Sequence, residues 1–255
     1  MIDVHTHILP GLDDGAADLA ESIRMAAIAA DDGIATLVAT PHAEETFGLR
    51  RGLAARRLEQ VREALGEAGI ALEVLPGCEA FLDPEVGGRA AAGALPTLNV
   101  SRYLLVEWPL ASYPPFVPRA LAELIEGGLA PVLAHGERYR AVQDDVNLLV
   151  SLIAQGMLVQ VTAGSLLGEF GPTARRTAEI MLEHGMAHLL ASDAHSSAWR
   201  PPRLARGVAR AAQIVGEDAA RRLVADVPAA IVANQPIEVP AARPLLRRPH
   251  WASWR

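Results

Sequence analysis

His5 and His7 stand two apart in the opening stretch MIDVHTHILPGLDDG, directly after Ile2-Asp3-Val4, which reads as the end of a short buried strand. In extended backbone, residues i and i+2 point to the same face, so both imidazoles can aim at one point. A strand delivering two imidazoles to its own C-terminal end begins a metal site. Other candidates close later apolar runs: His42 after 35–40, Glu79 after 71–76, Glu107 after 103–106, His135 after 130–134, and Asp193 with His195 after 188–191. Of the eight histidines, only His184, His188 and His250 fall elsewhere, on a helix face, at a strand start and in the C-terminal segment. Counting Asp14, the candidates exceed what one ion needs and imply two or three, although Asp13-Asp14 also reads as plain turn chemistry. Imidazole and carboxylate without thiolate suit Mn²⁺, Fe²⁺ or Zn²⁺. Glu79 is the natural bridging carboxylate, and two ions roughly 3.5–4 Å apart would hold a hydroxide at neutral pH and clamp the oxygens of a phosphate. Arg138 in HGERYR and Arg200 in HSSAWRPPR follow the candidate ligands closely. Guanidinium forks match phosphate oxygens bidentately, and a solvated face is the alternative for either arginine alone.

The elements that must position these side chains alternate. Asp18-Leu-Ala-Glu21 predicts a capping box opening a helix to about Asp32, stopped at Gly33. Residues 50–68 have helical periodicity, 83–93 form a small loop-and-helix insertion, and helices follow over 117–126, 144–154, 173–183, 203–215, 218–226 and 228–234. Between them lie seven short apolar runs with Gly-marked connections, which predicts a parallel sheet covered by helices. Strands this short and apolar on both faces predict a closed α/β barrel, whose functional groups gather at the C-terminal strand ends. The segment 237–255, rich in Pro and Arg, reads as a tail or docking arm after a single domain over 1–236.

The composition narrows the function. At 255 residues the chain suits one α/β barrel, and 51% hydrophobic residues supply a sizeable core. A net charge of −7 argues against a nucleic-acid binder. All 23 basic residues are arginine, so no lysine base, Schiff base or carbamylated lysine is available. Cys78 is the single cysteine, which excludes an internal disulfide and a thiolate cage. A cysteine phosphatase would need arginine six positions on, where Pro84 stands, so Cys78 reads as a small buried residue. The N-terminus lacks a basic-then-apolar signal pattern and no apolar run nears the roughly 18 residues of a membrane span, which predicts a soluble cytoplasmic protein.

These motifs resemble the polymerase-and-histidinol-phosphatase (PHP) superfamily, and more closely its bacterial protein-tyrosine phosphatases encoded with capsule and exopolysaccharide genes. The resemblance covers about residues 1–235 and rests on IDVHTHILPGLDDGA, TPH at 40–42, GCE at 77–79, PTLNVSRYLLVEWP at 96–109, AHGERY at 134–139, QVTAGSLLG at 160–168 and ASDAHSSAWRPPRL at 192–204. It implies a distorted (β/α)7 TIM-like barrel of the PHP type with three metals, Mn²⁺ being a common activator. It implies that His5, His7, Glu79 and Asp193 hold a first ion, Glu79, Glu107 and His135 a second, and Asp14, His42 and His195 a third. Arg138 and Arg200 fall where the family contacts phosphate. The sequence departs from some members in TPH for TSH and in Thr162-Ala163 for Asn-Ser.

The expected reaction is in-line attack on phosphotyrosine by metal-bound hydroxide, without a phosphoenzyme. The expected partner is the phosphotyrosine tail of a bacterial tyrosine autokinase that controls polysaccharide export. The rivals are a small-molecule phosphatase such as a histidinol phosphatase and a non-catalytic metal-binding regulatory barrel. An amidohydrolase-type deacetylase would typically need a bridging lysine, which this chain lacks.

Overall fold

A computed structural model of the chain describes residues 1–43 and 51–246. Eight parallel-paired strands run through it: β1 (Ile2–Thr6), β2 (Thr36–Ala39), β3 (Glu73–Pro76), β4 (Glu79–Phe81), β5 (Tyr103–Glu107), β6 (Ala130–Leu133), β7 (Leu158–Thr162) and β8 (Leu189–Ala191). The helices are α1 (Leu19–Asp31), α2 (Arg51–Glu67), α3 (Val86–Ala91), α4 (Val117–Glu126), α5 (Arg140–Asp144), α6 (Leu148–Ala154), α7 (Ala163–Leu166), α8 (Gly171–Glu183), α9 (Ala205–Val215), α10 (Glu217–Arg222) and α11 (Asp226–Val232). None of the described helices is long and apolar enough to cross a membrane.

The strands form a three-stranded sheet, β1-β2-β3, and a five-stranded sheet, β4-β5-β6-β7-β8. The run expected as one strand near 71–76 is followed after two residues by a separate strand, which makes eight strands among the described residues where seven are expected. Gly77 packs so tightly that a Cβ would come 2.9 Å from Val38 Cγ1 and 3.2 Å from Leu98 Cδ2. The chain steps aside there, and β3 pairs with β2 while β4 pairs with β5. Isolated bridges join the two sheets at both gaps, Thr6 to Ala194 and His42 to Glu79.

Alternation along the strands explains why they are apolar on both faces. In β5, Leu104 and Val106 join the large core shared with the helices, while Tyr103 and Leu105 join a second cluster with Val4, Val38, Val132 and Leu189. Val227 and Ile231 of α11 belong to that second cluster. Helix α4 buries Val117, Ala120, Leu121 and Leu124, the spacing of one helical stripe.

Three local expectations need correction. Asp18 caps α1 by accepting the Glu21 N–H at 2.8 Å, but the Glu21 carboxylate does not close a reciprocal box. It accepts instead from the backbone N–H and hydroxyl of Ser197, tying α1 to the loop after β8. The helix expected over 144–154 is interrupted between α5 and α6, because Asp145 is extended and its carboxylate accepts the Asn147 N–H, a local turn that competes with helix. The helix expected over 218–226 ends at Arg222, and α11 begins at Asp226.

The described part of the C-terminal segment contains no helix or strand but is hydrogen-bonded to the body. His184, the C-cap of α8, donates through Nδ1 to the Arg243 carbonyl at 2.8 Å, and Asn147 exchanges two hydrogen bonds with the backbone of Leu245. His250 lies outside the described residues.

His188 precedes β8, is buried, and accepts the Val159 N–H at its Nδ1 at 2.9 Å. Burial pushes its imidazole down to about 4. The unfolded chain, with an imidazole near 6.5, then binds more protons between these two values, so stability is fully present above pH 6.5 and is lost as pH falls toward 4. The expected loss from this residue is about 3 kcal/mol. Urea denaturation across pH 4–7.5 should show a shallower slope in His188→Gln, whereas identical slopes would reject the assignment.

Candidate metal centre

All nine predicted ligand side chains come to one place, most of them from C-terminal strand ends. His5 lies in β1 and His7 just past it, His42 follows β2, Glu79 opens β4, Glu107 closes β5, His135 follows β6, and Asp193 and His195 follow β8. Asp14 arrives on the loop after β1, which folds back over His7 through the Ala16 N–H bond to the His7 carbonyl. Gly15 is required there, because a Cβ would collide with the carbonyl oxygen and Cβ of His7. His135 and Asp193 adopt left-handed φ values of 36° and 52°, uncommon for side-chain-bearing residues and concentrated at functional sites.

Glu79 is the hub. Its Oε1 accepts from His135 Nε2 at 2.9 Å, and its Oε2 lies 3.2 Å from His5 Nε2, 3.3 Å from His7 Nε2 and 3.2 Å from His42 Nδ1. Burial pushes this carboxyl up, yet the charge of His5 and the hydrogen bonds from His135, His5 and His7 outweigh burial and hold it well below the usual range. Asp193 Oδ1 lies 3.3 Å from His5 Nε2. His42 Nδ1 also stands 3.1 Å from Glu107 Oε1, and Asp14 Oδ1 reaches His195 Nε2 at 3.3 Å and His42 Nε2 at 3.5 Å.

Both His42 and His195 touch Asp14, but their protonation moves in opposite directions. Burial works against the charged form of each. At His42 the hydrogen bonds to Asp14 and Glu107 and the charges of Glu79 and Glu107 override it, raising the imidazole to about 11. His195 has only Asp14 to offset burial and faces His7 and His5 as well, so it falls to about 4.

A ring of outer partners fixes which nitrogen faces inward. His5 donates from Nδ1 to Gln160 Oε1 at 3.0 Å, His7 from Nδ1 to Asp13 Oδ2 at 2.8 Å, and His195 from Nδ1 to the Asp193 carbonyl at 3.0 Å. The Nε2 atoms of His5 and His7 stand 3.2 Å apart beside two carboxylates; without a cation they carry the protons that bond Glu79, and with one the outward Nδ1 protons leave both Nε2 lone pairs free for it. That arrangement of donors calls for a cation between them, so the residues present fit a metal centre. Ligand atoms lying within 4.8 Å of one another group as His7, Asp14, His42 and His195; as His5, His7 and Asp193; and as His42, Glu79 and Glu107.

Asp13 and Gln160 are the participants that sequence reasoning missed. Asp13 resembled turn chemistry, and it does accept the Gly15 N–H, but it also holds His7 and the His42 N–H. Gln160, an amide flanked by valines within the buried strand β7, carried a signal that could have been read. Outer partners of metal-bound histidine typically contribute about 10–100-fold to affinity or activity. Asp13→Ala should therefore weaken binding of an added divalent ion such as Mn²⁺ by about that factor. An unchanged Mn²⁺ titration would remove Asp13 from this role.

Arg138 and Arg200 converge on the far side of Asp193. Arg138 Nη1 donates to Asp193 Oδ2 at 2.8 Å, and Arg200 Nη2 donates to the same oxygen. Burial and the neighbouring charge of Arg138 lower Arg200 to about 10, which leaves it charged at neutral pH. Arg138 ends a short 3₁₀ turn, Gly136–Arg138, and Glu137 beside it is buried and accepts from the Ser165 hydroxyl and the Thr162 N–H. Cys78 is fully buried and its thiol donates to the Pro96 carbonyl.

Comparison with known proteins bears on this geometry. Residues 1–233 match the family model for capsular polysaccharide synthesis, CpsB/CapC. The chain is 39% identical over 197 residues to the tyrosine-protein phosphatase YwqE of Bacillus subtilis, covering 77% of this chain and 78% of that protein. It is 30% identical over 241 residues to the tyrosine-protein phosphatase CpsB of Streptococcus pneumoniae, covering 92% and 99%. A solved structure from the work on YwqE and CpsB as unique metal-dependent tyrosine phosphatases superposes with a TM-score of 0.92 at 33% identity, over 97% of this chain and all of the other. A Listeria monocytogenes lactonase shares the fold alone, with a TM-score of 0.55 at 13% identity.

Proposed function

This chain belongs to the CpsB/CapC family of capsular polysaccharide synthesis, and from that premise we propose that it is a metal-dependent phosphatase of phosphotyrosine. The observation that carries the reading is the inward-facing donor set around Glu79, with two guanidiniums beside it on Asp193. We assign His5, His7, Glu79 and Asp193 to one ion, Glu79, Glu107 and His135 to a second, and Asp14, His42 and His195 to a third. His7 also lies within the third group and His42 reaches the second, so each is shared by two neighbouring groups and could serve either. Mn²⁺ is the ion we propose, on the strength of a donor set of imidazole and carboxylate without thiolate.

When bound, such ions supply Lewis acidity toward the phosphoryl oxygens and lower the pKa of an attacking water. Arg138 and Arg200 bind and orient the phosphoryl group and offset its charge, and Asp193 holds both guanidiniums on the side facing the cluster. Asp13 and Gln160 keep His7 and His5 in the tautomer that presents Nε2 inward. A phenolate leaving group, with a pKa near 10, needs less protonation than an alkoxide, so no strong general acid is required. Burial and its hydrogen bond make Cys78 unsuitable as a nucleophile.

We read the two sheets together as a distorted (β/α)7 barrel in which β3 and β4 share one position between β2 and β5. The bridges at both sheet junctions support this, as does the resemblance to barrel-like hydrolases. Residues 1–236 are then the phosphatase domain, in keeping with a family match that ends at residue 233, and 237–255 an accessory arm. The substrate we propose is the phosphotyrosine tail of a bacterial tyrosine kinase in capsule regulation.

The test is phosphate release from a phosphotyrosyl peptide with Mn²⁺, measured beside histidinol phosphate and repeated after EDTA. Preference for the peptide, lost with EDTA and restored by Mn²⁺, is the expected result. Preference for histidinol phosphate would move the enzyme to a small-molecule substrate. No release from either would point to a non-catalytic barrel.

A further inference from the structure

Arg138 and Arg200 come from separate segments, the turn after β6 and the loop after β8, so the backbone does not set their spacing directly. Among the described residues, two side chains are seen against both of them. One is Asp193; the other is Phe170, whose ring centroid lies 4.5 Å from the Arg138 Cζ and 5.2 Å from the Arg200 Cζ. Both distances fall inside the range in which an aromatic face attracts a guanidinium.

The local sequence holds Phe170 in place. Gly168 and Gly171 flank it with left-handed φ values of 86° and 89°, so the chain turns sharply on each side of the ring. Gly164 in α7 leaves the space that Glu169 and Phe170 occupy: a Cβ there would collide with the Glu169 carboxylate and come 3.2 Å from Phe170 Cε2. Two guanidiniums sharing one carboxylate oxygen repel each other, and Asp193 balances only one positive charge. A ring in contact with both supplies attraction to each without consuming the N–H donors that a phosphate needs.

We propose that Phe170 is a positioning residue that holds Arg138 and Arg200 side by side for phosphate binding. The proposal rests on reading these arginines as phosphate contacts. Its effect belongs on binding of the phosphoryl group, since the ring lies against the two guanidiniums that contact it.

The test uses the full-length Mn²⁺-loaded protein and two probes, a phosphotyrosyl peptide as substrate and inorganic phosphate as competitor. Phe170→Leu should raise KM and the phosphate inhibition constant together by about tenfold, with kcat within twofold of wild type. Phe170→Tyr, which keeps the ring, should restore both constants. In an Arg138→Ala background, Phe170→Leu should cost clearly less than in the wild type, because one of its two partners is gone. If the leucine variant does not fold, Phe170→Met replaces it with the same expectations. A fall in kcat at unchanged KM, equal losses in the leucine and tyrosine variants, or full additivity with Arg138→Ala would each overturn the proposal. Unchanged constants in Phe170→Leu would overturn it while leaving the arginines as phosphate contacts. If inorganic phosphate does not compete with the substrate of the wild-type enzyme, the phosphate reading of the arginines falls, and this proposal with it.

Discussion

Glu79→Gln is expected to lower kcat/KM for a phosphotyrosyl peptide by roughly 10³-fold or more and to leave the protein deficient in bound metal. The substitution keeps shape and volume, so the effect isolates charge. The Glu79 side chain is almost completely buried, and its two oxygens face four imidazoles at 2.9–3.3 Å. Glutamine would replace one of those oxygens with an NH₂ aimed at nitrogen atoms whose lone pairs should point at cations. Because Glu79 is proposed to touch two ions, its loss should affect both together. Elemental analysis after dialysis against Mn²⁺, with kinetics on the same preparation, checks this. A glutamine variant with normal metal content and activity within tenfold of wild type would refute the bridging role.

Arg138→Ala and Arg200→Ala should each lower kcat/KM by about 10²–10³-fold, the range seen when one preorganised donor to a developing charge is removed. Metal content should stay normal, which separates this loss from that of Glu79→Gln. Lysine should recover little at either position, because a point charge cannot reproduce a fork that holds Asp193 with one nitrogen and leaves others for phosphate. Full activity in either lysine variant would show that charge alone suffices and that the fork is unimportant.

Much of the ligand pattern was legible because parallel β-α units put the C-terminal ends of their strands on one side. His42, Glu107 and His135 could thus be placed near His5 and His7 from strand boundaries alone. The strand boundaries themselves were less secure. A single apolar run at 71–76 gave no notice that tight packing at Gly77 would end one pairing and begin another at Glu79. The break between α5 and α6 was hidden for a related reason. Helical periodicity continues through 144–154, while an aspartate that turns its side chain onto the local backbone overrides it.

The site shows the same division. The residue types and their positions at strand ends determined, by sequence alone, that imidazoles and carboxylates would meet at one end of the sheet and that no thiolate cage or lysine chemistry was available. Only the tertiary structure decided which nitrogen of each histidine faces inward, because that depends on acceptors distant in sequence, such as Gln160 for His5, or drawn from a refolded loop, such as Asp13 for His7. It also decided that His42 reaches Glu79 and Glu107 as well as Asp14, and that Phe170 lies against two arginines from different segments. The physical reason is one of range. Side-chain chemistry and strand alternation are local properties, whereas hydrogen-bond partners and ring contacts are set by how separate units pack.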